Sequence, residues 1–442
     1  MAQNNPAAAV ASFARNSELL DKVKFTFICL LIYRIGSHIT APGIDVVALT
    51  DFFATKGKGG LLGMYDLFVG GNLSRATVFA LGIMPYISAS IFLQIAGAVV
   101  PQVEKMQKDE DGRKKINQWT RYITVALAIV QAWGFALFTS SLENAVNNPG
   151  LAFKLQMVLF LTTGAVVVMW LGEQITERGL GNGASLIIFF SIVERFWPGI
   201  LDTFNYLKTG AITPLALIIL VAVMLGVVAA TIAMTLAARR IMIQIPQRTM
   251  ARGRQREAAR NFIPLRINTA GVMPIIFAQS VIVVPGAIAQ FSGNATLQSY
   301  AEHIQPGTWL YYLVSAILIV LFTYFYTSII FNPIDISENL KKQGGFIPGV
   351  KPGAKTAEYI ERVIERITLP GAIFLTFIAL LPVFIADMSG VPFRFGGTSL
   401  LIVVGVALDT LAQVNQHMLL RKYDGFMKKG RVRFRGRTPG GY

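Results

Sequence analysis

The chain is poor in the side chains that carry covalent and metal chemistry. It has one cysteine, Cys29, so no disulfide can form within it. Its three histidines, His38, His303 and His417, fall in different loops or span ends, so neither a zinc site nor a catalytic triad is readable. Charge is scarce as well. Asp, Glu, Lys and Arg make up 14% of the 442 residues and 53% are hydrophobic, whereas soluble proteins are about a quarter charged. This excludes a soluble globular fold and points to an integral membrane protein. The first twenty residues lack the compact apolar core and small-residue cleavage site of a signal peptide, so the N-terminus is expected to be retained.

Long apolar runs fill the remainder. Ten spanning helices are expected, at residues 23–40, 74–100, 120–140, 154–173, 184–201, 214–238, 268–290, 309–331, 369–386 and 398–418. Strands are not expected, because a membrane barrel shows alternating segments of about ten residues. The net charge of +16 is unevenly placed. Arg239, Arg240, Arg248, Arg252, Arg254, Arg256, Arg260 and Arg266 crowd one connection, while residues 291–308 hold no Lys or Arg. This positive-inside pattern puts the connections 101–120, 239–267 and 332–368 and the basic tail in the cytoplasm, together with both termini. The two long basic connections and the tail suit docking of an anionic partner.

The chain also repeats itself. Gly82, Met84, Pro85, Ile87 and Ala89 of the second span recur in order as Gly271, Met273, Pro274, Ile276 and Ala278 of the seventh. Each lies in the second helix of a set of five, and an odd repeat implies two halves of inverted topology. No catalytic constellation is present. The run GLGNG at 179–183 lacks a phosphate-loop lysine and reads as a turn that caps one helix and starts the next. Within the spans Asp409 reads as the main charged exception, a structural carboxylate near the cytoplasmic end. Branched aliphatics along the pathway suggest a hydrophobic constriction, which excludes ions by dewetting. One short run stands apart. LLGMYDLFVGGN, residues 61–72, is too short to cross a bilayer, yet it precedes a full span directly.

Five segments then carry a resemblance: FALGIMPYISASI, GEQITERGLGNGASLIIF, AGVMPIIFA, FNPIDISENLKKQGGFIPGVKPG and FGGTSLLIVVGVALDTLAQV are similar, in order, to the signature segments of the bacterial SecY family. The resemblance implies an all-α protein of ten spans in two inverted halves. These would comprise a cytoplasmic segment 1–22, a half 23–201, an external connection 202–213, a half 214–418 and a cytoplasmic tail 419–442. It implies a channel, without enzymatic activity or cofactor, that passes unfolded polypeptide across the plasma membrane and releases apolar segments sideways. The implied partners are SecE-like and SecG-like small subunits, the SecA motor ATPase, the ribosome, preproteins and membrane lipids. The rival from residues alone is a secondary transporter of a small solute, which would need a polar midplane site.

Position by position, the resemblance makes 61–72 a re-entrant plug, built on Leu61, Leu62, Met64, Tyr65, Leu67, Phe68, Gly70 and Gly71. The pore ring falls on Ile83, Ile87, Ile188, Ile276 and Ile402, with Ala184 where isoleucine is common. The polar positions of a lateral gate fall on Ser88, Gln131 and Asn268, expected to hydrogen-bond to one another across the seam. Motor and ribosome docking falls on Arg248, Arg252, Arg254 and Arg256 and on the tip Lys351, Pro352 and Gly353, with lysine where arginine is usual.

Overall fold

The computed structural model describes residues 17–55, 60–142, 145–210, 213–244, 261–268, 270–291, 296–297, 299, 303–389 and 397–429. The first half contains α1 (Ser17–Gly36), two short helices α2 (Val46–Thr55) and α3 (Leu61–Phe68), then α4 (Met84–Val99), α5 (Pro101–Lys108), α6 (Glu110–Ser141), α7 (Leu151–Arg178) and α8 (Gly183–Lys208). The second contains α9 (Pro214–Leu236), β1 (Ala238–Ile243), β2 (Asn261–Arg266), α10 (Met273–Phe291), α11 (Trp309–Ile330), α12 (Pro333–Lys342), α13 (Ala354–Ser389) and α14 (Gly397–Lys429). Among the described residues eight helices are long and apolar enough to span a membrane, and a ninth is added if α4 and α5, bent by 108° at Val100, count as one. With 20 residues, α1 is long enough to cross, about 30 Å, but it carries Glu18, Asp21, Lys22, Lys24 and Arg34.

The second span differs from expectation in where it starts. It becomes helical at Met84, ten residues after position 74, and the segment before it runs as turns. Gly70, Gly71 and Gly82 hold φ of 75°, 80° and 55°, left-handed values that a side chain disfavours. Pro85 then sits in the first turn of α4, where its missing N–H costs nothing. The GLGNG run behaves as expected. Gly179 caps α7, Gly181 turns at φ 79°, and the Asn182 side chain accepts a bond from Ser185 N at 3.2 Å to start α8.

The expectation of no strands is overturned in the 239–267 connection. β1 and β2 pair antiparallel, from Ala238 opposite Arg266 to Ile243 opposite Asn261. The physical reason is alternation: Arg240 and Met242 are exposed while Ile241 and Ile243 are buried, the pattern of a half-buried strand. Those isoleucines join Leu265, Leu340, Ile347 and Ile360 in a small second core. Gln244 and Phe346 exchange two backbone bonds of 2.9 Å, tying the two long connections together. The 332–368 connection is accordingly ordered, as α12, a turn and the first part of α13. In the main body α10 is the hub. It packs against α3, α4, α6, α11 and α14, and 72% of its apolar window is buried.

Candidate functional site

The repeat noted in the sequence is a repeat of local structure. Gly271 at φ 63° precedes Met273 and Pro274 as Gly82 at φ 55° precedes Met84 and Pro85. The Ile87 N–H donates to Ile83 O at 3.1 Å, and the Ile276 N–H to Val272 O at 3.2 Å. Both isoleucines thus emerge one turn after the same glycine break. Together with Ile188 and Ala184 of α8 they line one cavity of about 190 Å³. Ile83, Ile87, Ile188, Ile276 and Ile402 are each no more than 5% exposed, and Ala184 is half-buried. Of the six expected ring positions the cavity therefore gathers four. Ile83 packs towards Gly172 of α7, and Ile402 is buried in the core of α14.

The α3 helix is largely buried, with Gly63, Met64 and Leu67 half-buried and no residue fully exposed. Leu61, Leu62, Tyr65 and Phe68 are at most 4% exposed, and Gly70 and Gly71 are buried behind them. A helix that buries five of its eight residues and exposes none fully is held within protein and does not lie on a membrane surface. Leu61 packs with Ile282 and Tyr311 and sits against Gly286 of α10, where a Cβ would push the end of the Leu61 side chain aside. The chain leaves α3 through Gly70 and Gly71, which the backbone of Ser191 and the guanidinium of Arg195 approach closely. Tyr33 of α1 shares a 2.8 Å hydrogen bond with Ser191, and Asn72 Nδ2 donates to Tyr33 Oη at 3.2 Å and to Val69 O at 2.7 Å.

Charges surround this helix, and sequence reasoning missed them. Arg195 of α8 pairs with Asp66, Glu194 pairs with Arg34 of α1, and Arg75 stands 3.7 Å from Glu194. The expectation that Asp409 is the main charge inside the spans thus fails, since Arg34, Glu194 and Arg195 all lie on expected spans. The signal was visible as the Glu-Arg pair inside the apolar run SLIIFFSIVERFW. Asp409 itself is exposed on α14; a Cβ on Gly271 would stand 3.5 Å from its Oδ2.

The seam between the halves is shut, with α10 against α4 and α6. Phe291 packs on Phe135 and Phe138 with ring centroids 5.6 and 5.4 Å away, and Ser280 Oγ donates to Met84 Sδ at 3.7 Å. The expected bonding among Ser88, Gln131 and Asn268 is absent. Ser88 Oγ, Gln131 Nε2 and Asn268 Oδ1 are buried without a partner, because Asn268 Nδ2 is spent on Gly271 O at 3.0 Å and Gln131 Oε1 faces Tyr65 at 3.5 Å. Each orphan group costs roughly 1–3 kcal/mol.

On the other face, Arg248, Arg252, Arg254 and Arg256 lie outside the described residues. Lys351 and Pro352 are exposed at a turn. Gly353 follows at φ 101° and accepts from Ser337 Oγ at 2.7 Å, and Lys351 O accepts from Thr356 Oγ1 at 2.9 Å. The tip is therefore held rigidly on the second core. Among the described residues no group of three His, Cys, Asp or Glu side chains could hold a metal ion.

A family model described as SecY matches residues 77–411. The chain is 44% identical to the protein translocase subunit SecY of Aquifex aeolicus, over 93% of this chain and 97% of that one. To the same-named subunit of Escherichia coli K12 it is 43% identical, over 95% and 96%. Its fold is similar to that of a solved protein conducting channel, with a TM-score of 0.66 at 17% identity over 94% of this chain and 95% of that one. It is also similar to Sec61 in the canine ribosome-channel complex from the endoplasmic reticulum, with a TM-score of 0.63 at 16% identity, covering 94% and 95%.

Proposed function

The chain belongs to the SecY family and is a protein-conducting channel subunit, not an enzyme, of a Sec translocase; from that premise we propose how its residues divide the work. It is a multi-pass protein of the bacterial plasma membrane, with both termini in the cytoplasm as the basic connections require. The pore runs past Ile87, Ile188 and Ile276, with Ile83, Ile402 and Ala184 completing the ring. One observation supports this most: three of these isoleucines, from α4, α8 and α10, line a single narrow cavity with α3 buried alongside α8 and α10. Branched apolar side chains can close around an extended chain of any sequence while binding none of its side chains strongly, and with no chain present they dewet and exclude ions.

Residues 61–72 are the plug, which leaves the pore when a polypeptide enters. Irregular backbone at membrane depth is tolerated because protein encloses it, and Gly70 and Gly71 form the joint. The seam of α4 and α6 against α10 and α11 is the lateral gate, in which Ser88, Gln131 and Asn268 lower the cost of parting. Lys351, Pro352 and Gly353, with the arginines of the 239–267 connection, receive SecA or the ribosome, which supply the driving energy, while a SecE-like subunit clamps the halves and a SecG-like subunit joins the complex.

The test is a photo-crosslinking residue at Ile276 with a secretory precursor arrested halfway. A crosslink to the mature part of the precursor, absent without the motor or ribosome, is expected. Its absence, with Ile87 and Ile402 also silent, would show that the pore axis runs elsewhere.

A further inference from the structure

We propose that Asp66 and Arg195 form a latch that holds the plug seated, and that Met64 and Tyr65, on the same helical turn, tie it to both walls of the lateral gate. This rests on the plug and gate readings above and adds the residues that hold and release the plug. Consecutive residues of a helix point about 100° apart, so these three face three directions. Tyr311 Oη of α11 donates to Met64 Sδ at 3.6 Å. Tyr65 Oη donates to Leu81 O at 2.9 Å and faces Gln131 Oε1 of α6 at 3.5 Å. Asp66 Oδ2 pairs with Arg195 of α8, and its Oδ1 accepts from Ser74 N at 2.8 Å. One turn of an eight-residue helix thus touches α11, α6 and α8 at once, the Tyr65 proton going to Leu81 O and its hydroxyl lying against Gln131 of α6.

The chemistry of the third grip marks it as a device for position. The Asp66 side chain is 8% exposed and that of Arg195 32%, and Arg34, Arg75 and Glu194 stand close by. A buried ion pair adds little net stability, because desolvation offsets the attraction; an aliphatic residue at 66 would seal at least as well. What the pair adds is a single correct position, since displacement by a few ångströms parts the enclosed Asp66 carboxylate from both Arg195 and Ser74 N. Full withdrawal into the external funnel returns Asp66 to water and removes that cost. The seat is therefore narrow while the plug is in and undemanding once it is out. The second pair beside it, Glu194 with Arg34, fixes Arg195 against α1 from the neighbouring position. The grips on α6 and α11 add the trigger, because Met64 and Tyr65 hold opposite sides of the seam. Parting of the gate cannot keep both, so gate opening loosens the turn that carries Asp66.

The experiment measures resting ion flux through purified translocase, with its small subunits, in planar bilayers. Wild type is compared with a chain lacking residues 61–68, with Asp66→Asn, with Arg195→Met and with the reversal Asp66→Arg/Arg195→Asp. Either neutral change is expected to raise resting flux by about tenfold, as a partly screened pair losing one partner would, and the reversal to bring it back to within about threefold of wild type. Arg195→Lys keeps the charge and covers the case in which Arg195→Met does not fold; it is expected to leak less. If the plug deletion leaks while the neutral changes stay at wild-type flux, the latch is wrong and the plug reading stands. A reversal that leaks as much as either single change also overturns the pairing. If the deletion does not leak, the plug reading falls and the latch with it.

Discussion

The proposed ring and the seat of α3 sit in the same core, and their chemistries are opposed. The ring positions Ile83, Ile87, Ile188, Ile276 and Ile402 are buried aliphatic side chains with no charge among them. Around α3, three arginines and two carboxylates, Arg34, Arg75, Arg195, Asp66 and Glu194, interleave with the hydroxyls of Tyr33, Tyr65 and Ser191. A surface that must close on any passing sequence needs contacts without direction, and dispersion and dewetting supply them. A part that must return to one position after every passage needs contacts with direction, and ion pairs and hydrogen bonds supply those. Redundancy follows the same division. Five isoleucines share one task, whereas each polar contact of the seat is made once.

That difference is broken most directly by one glycine. Gly71 holds φ 80°, and a Cβ there would run into the Arg195 guanidinium. Gly71→Ala should therefore cost roughly 2 kcal/mol in plug seating, combining strained backbone with a displaced Arg195, or about a 30-fold shift towards the open plug. Ile188→Ala, which removes more atoms from the ring, should raise resting flux by less than about threefold, because its neighbours close in. Resting conductance of the two variants decides the matter. Equal leakage, or a leakier Ile188→Ala, would show that ring and seat do not differ in redundancy.

The seam offers a sharper and smaller contrast. Gln131 Nε2 is buried without a partner while its Oε1 has only the 3.5 Å approach of Tyr65. Gln131→Leu fills the same space with no orphan group and keeps an apolar contact for Tyr65, whose proton stays on Leu81 O, so it should stabilise the closed state by about 1 kcal/mol. The expected readings are a higher unfolding temperature and slower export of precursors with weakly hydrophobic signal segments. Faster export would show that the amide strengthens the closed seam.

Much of this architecture was legible in the sequence, and the parts that were not share a cause. Apolar runs located the spans, and the matched Gly-x-Met-Pro starts located α4 and α10, because a left-handed glycine followed by proline leaves the backbone little choice. The proposed ring positions came from the resemblance, and the repeat links only Ile87 with Ile276 among them. Contacts between distant segments left no such trace. Nothing near Asp66 in sequence announces Arg195, and the pair forms only because α3 folds back against α8. The strand pair was hidden by its setting, since Ile241 and Ile243 read as polar-loop residues until Leu265, Leu340 and Ile360 cover them. The expected bonding among Ser88, Gln131 and Asn268 failed for the opposite reason: local partners such as Gly271 O captured what the three were expected to give one another.

The smallest expected effect tests the ring from its weakest member. Ala184 is half-buried on the wall of the 190 Å³ cavity that Ile87, Ile188 and Ile276 also line, so it is the point where the gasket is thinnest. Ala184→Ile adds three carbons into space that already exists, and it places them on the helix face that carries Ile188 one turn later. No polar contact is made or lost, so by the logic of an undirected seal translocation should proceed at the wild-type rate, because a fourth branched side chain can yield as the others do. Resting ion conductance should fall by about twofold, since dewetting sharpens as an apolar constriction narrows. Planar-bilayer conductance and the export rate of one precursor, measured on the same preparation, separate the two halves of the claim. Unchanged or higher conductance would mean that the ring is already tight without position 184 and that the seal is set elsewhere, with the plug seat the next place to look. A slowed export rate would mean that the ring resists passage in proportion to its bulk, and the separation drawn here between a yielding ring and a fixed seat would have to be given up.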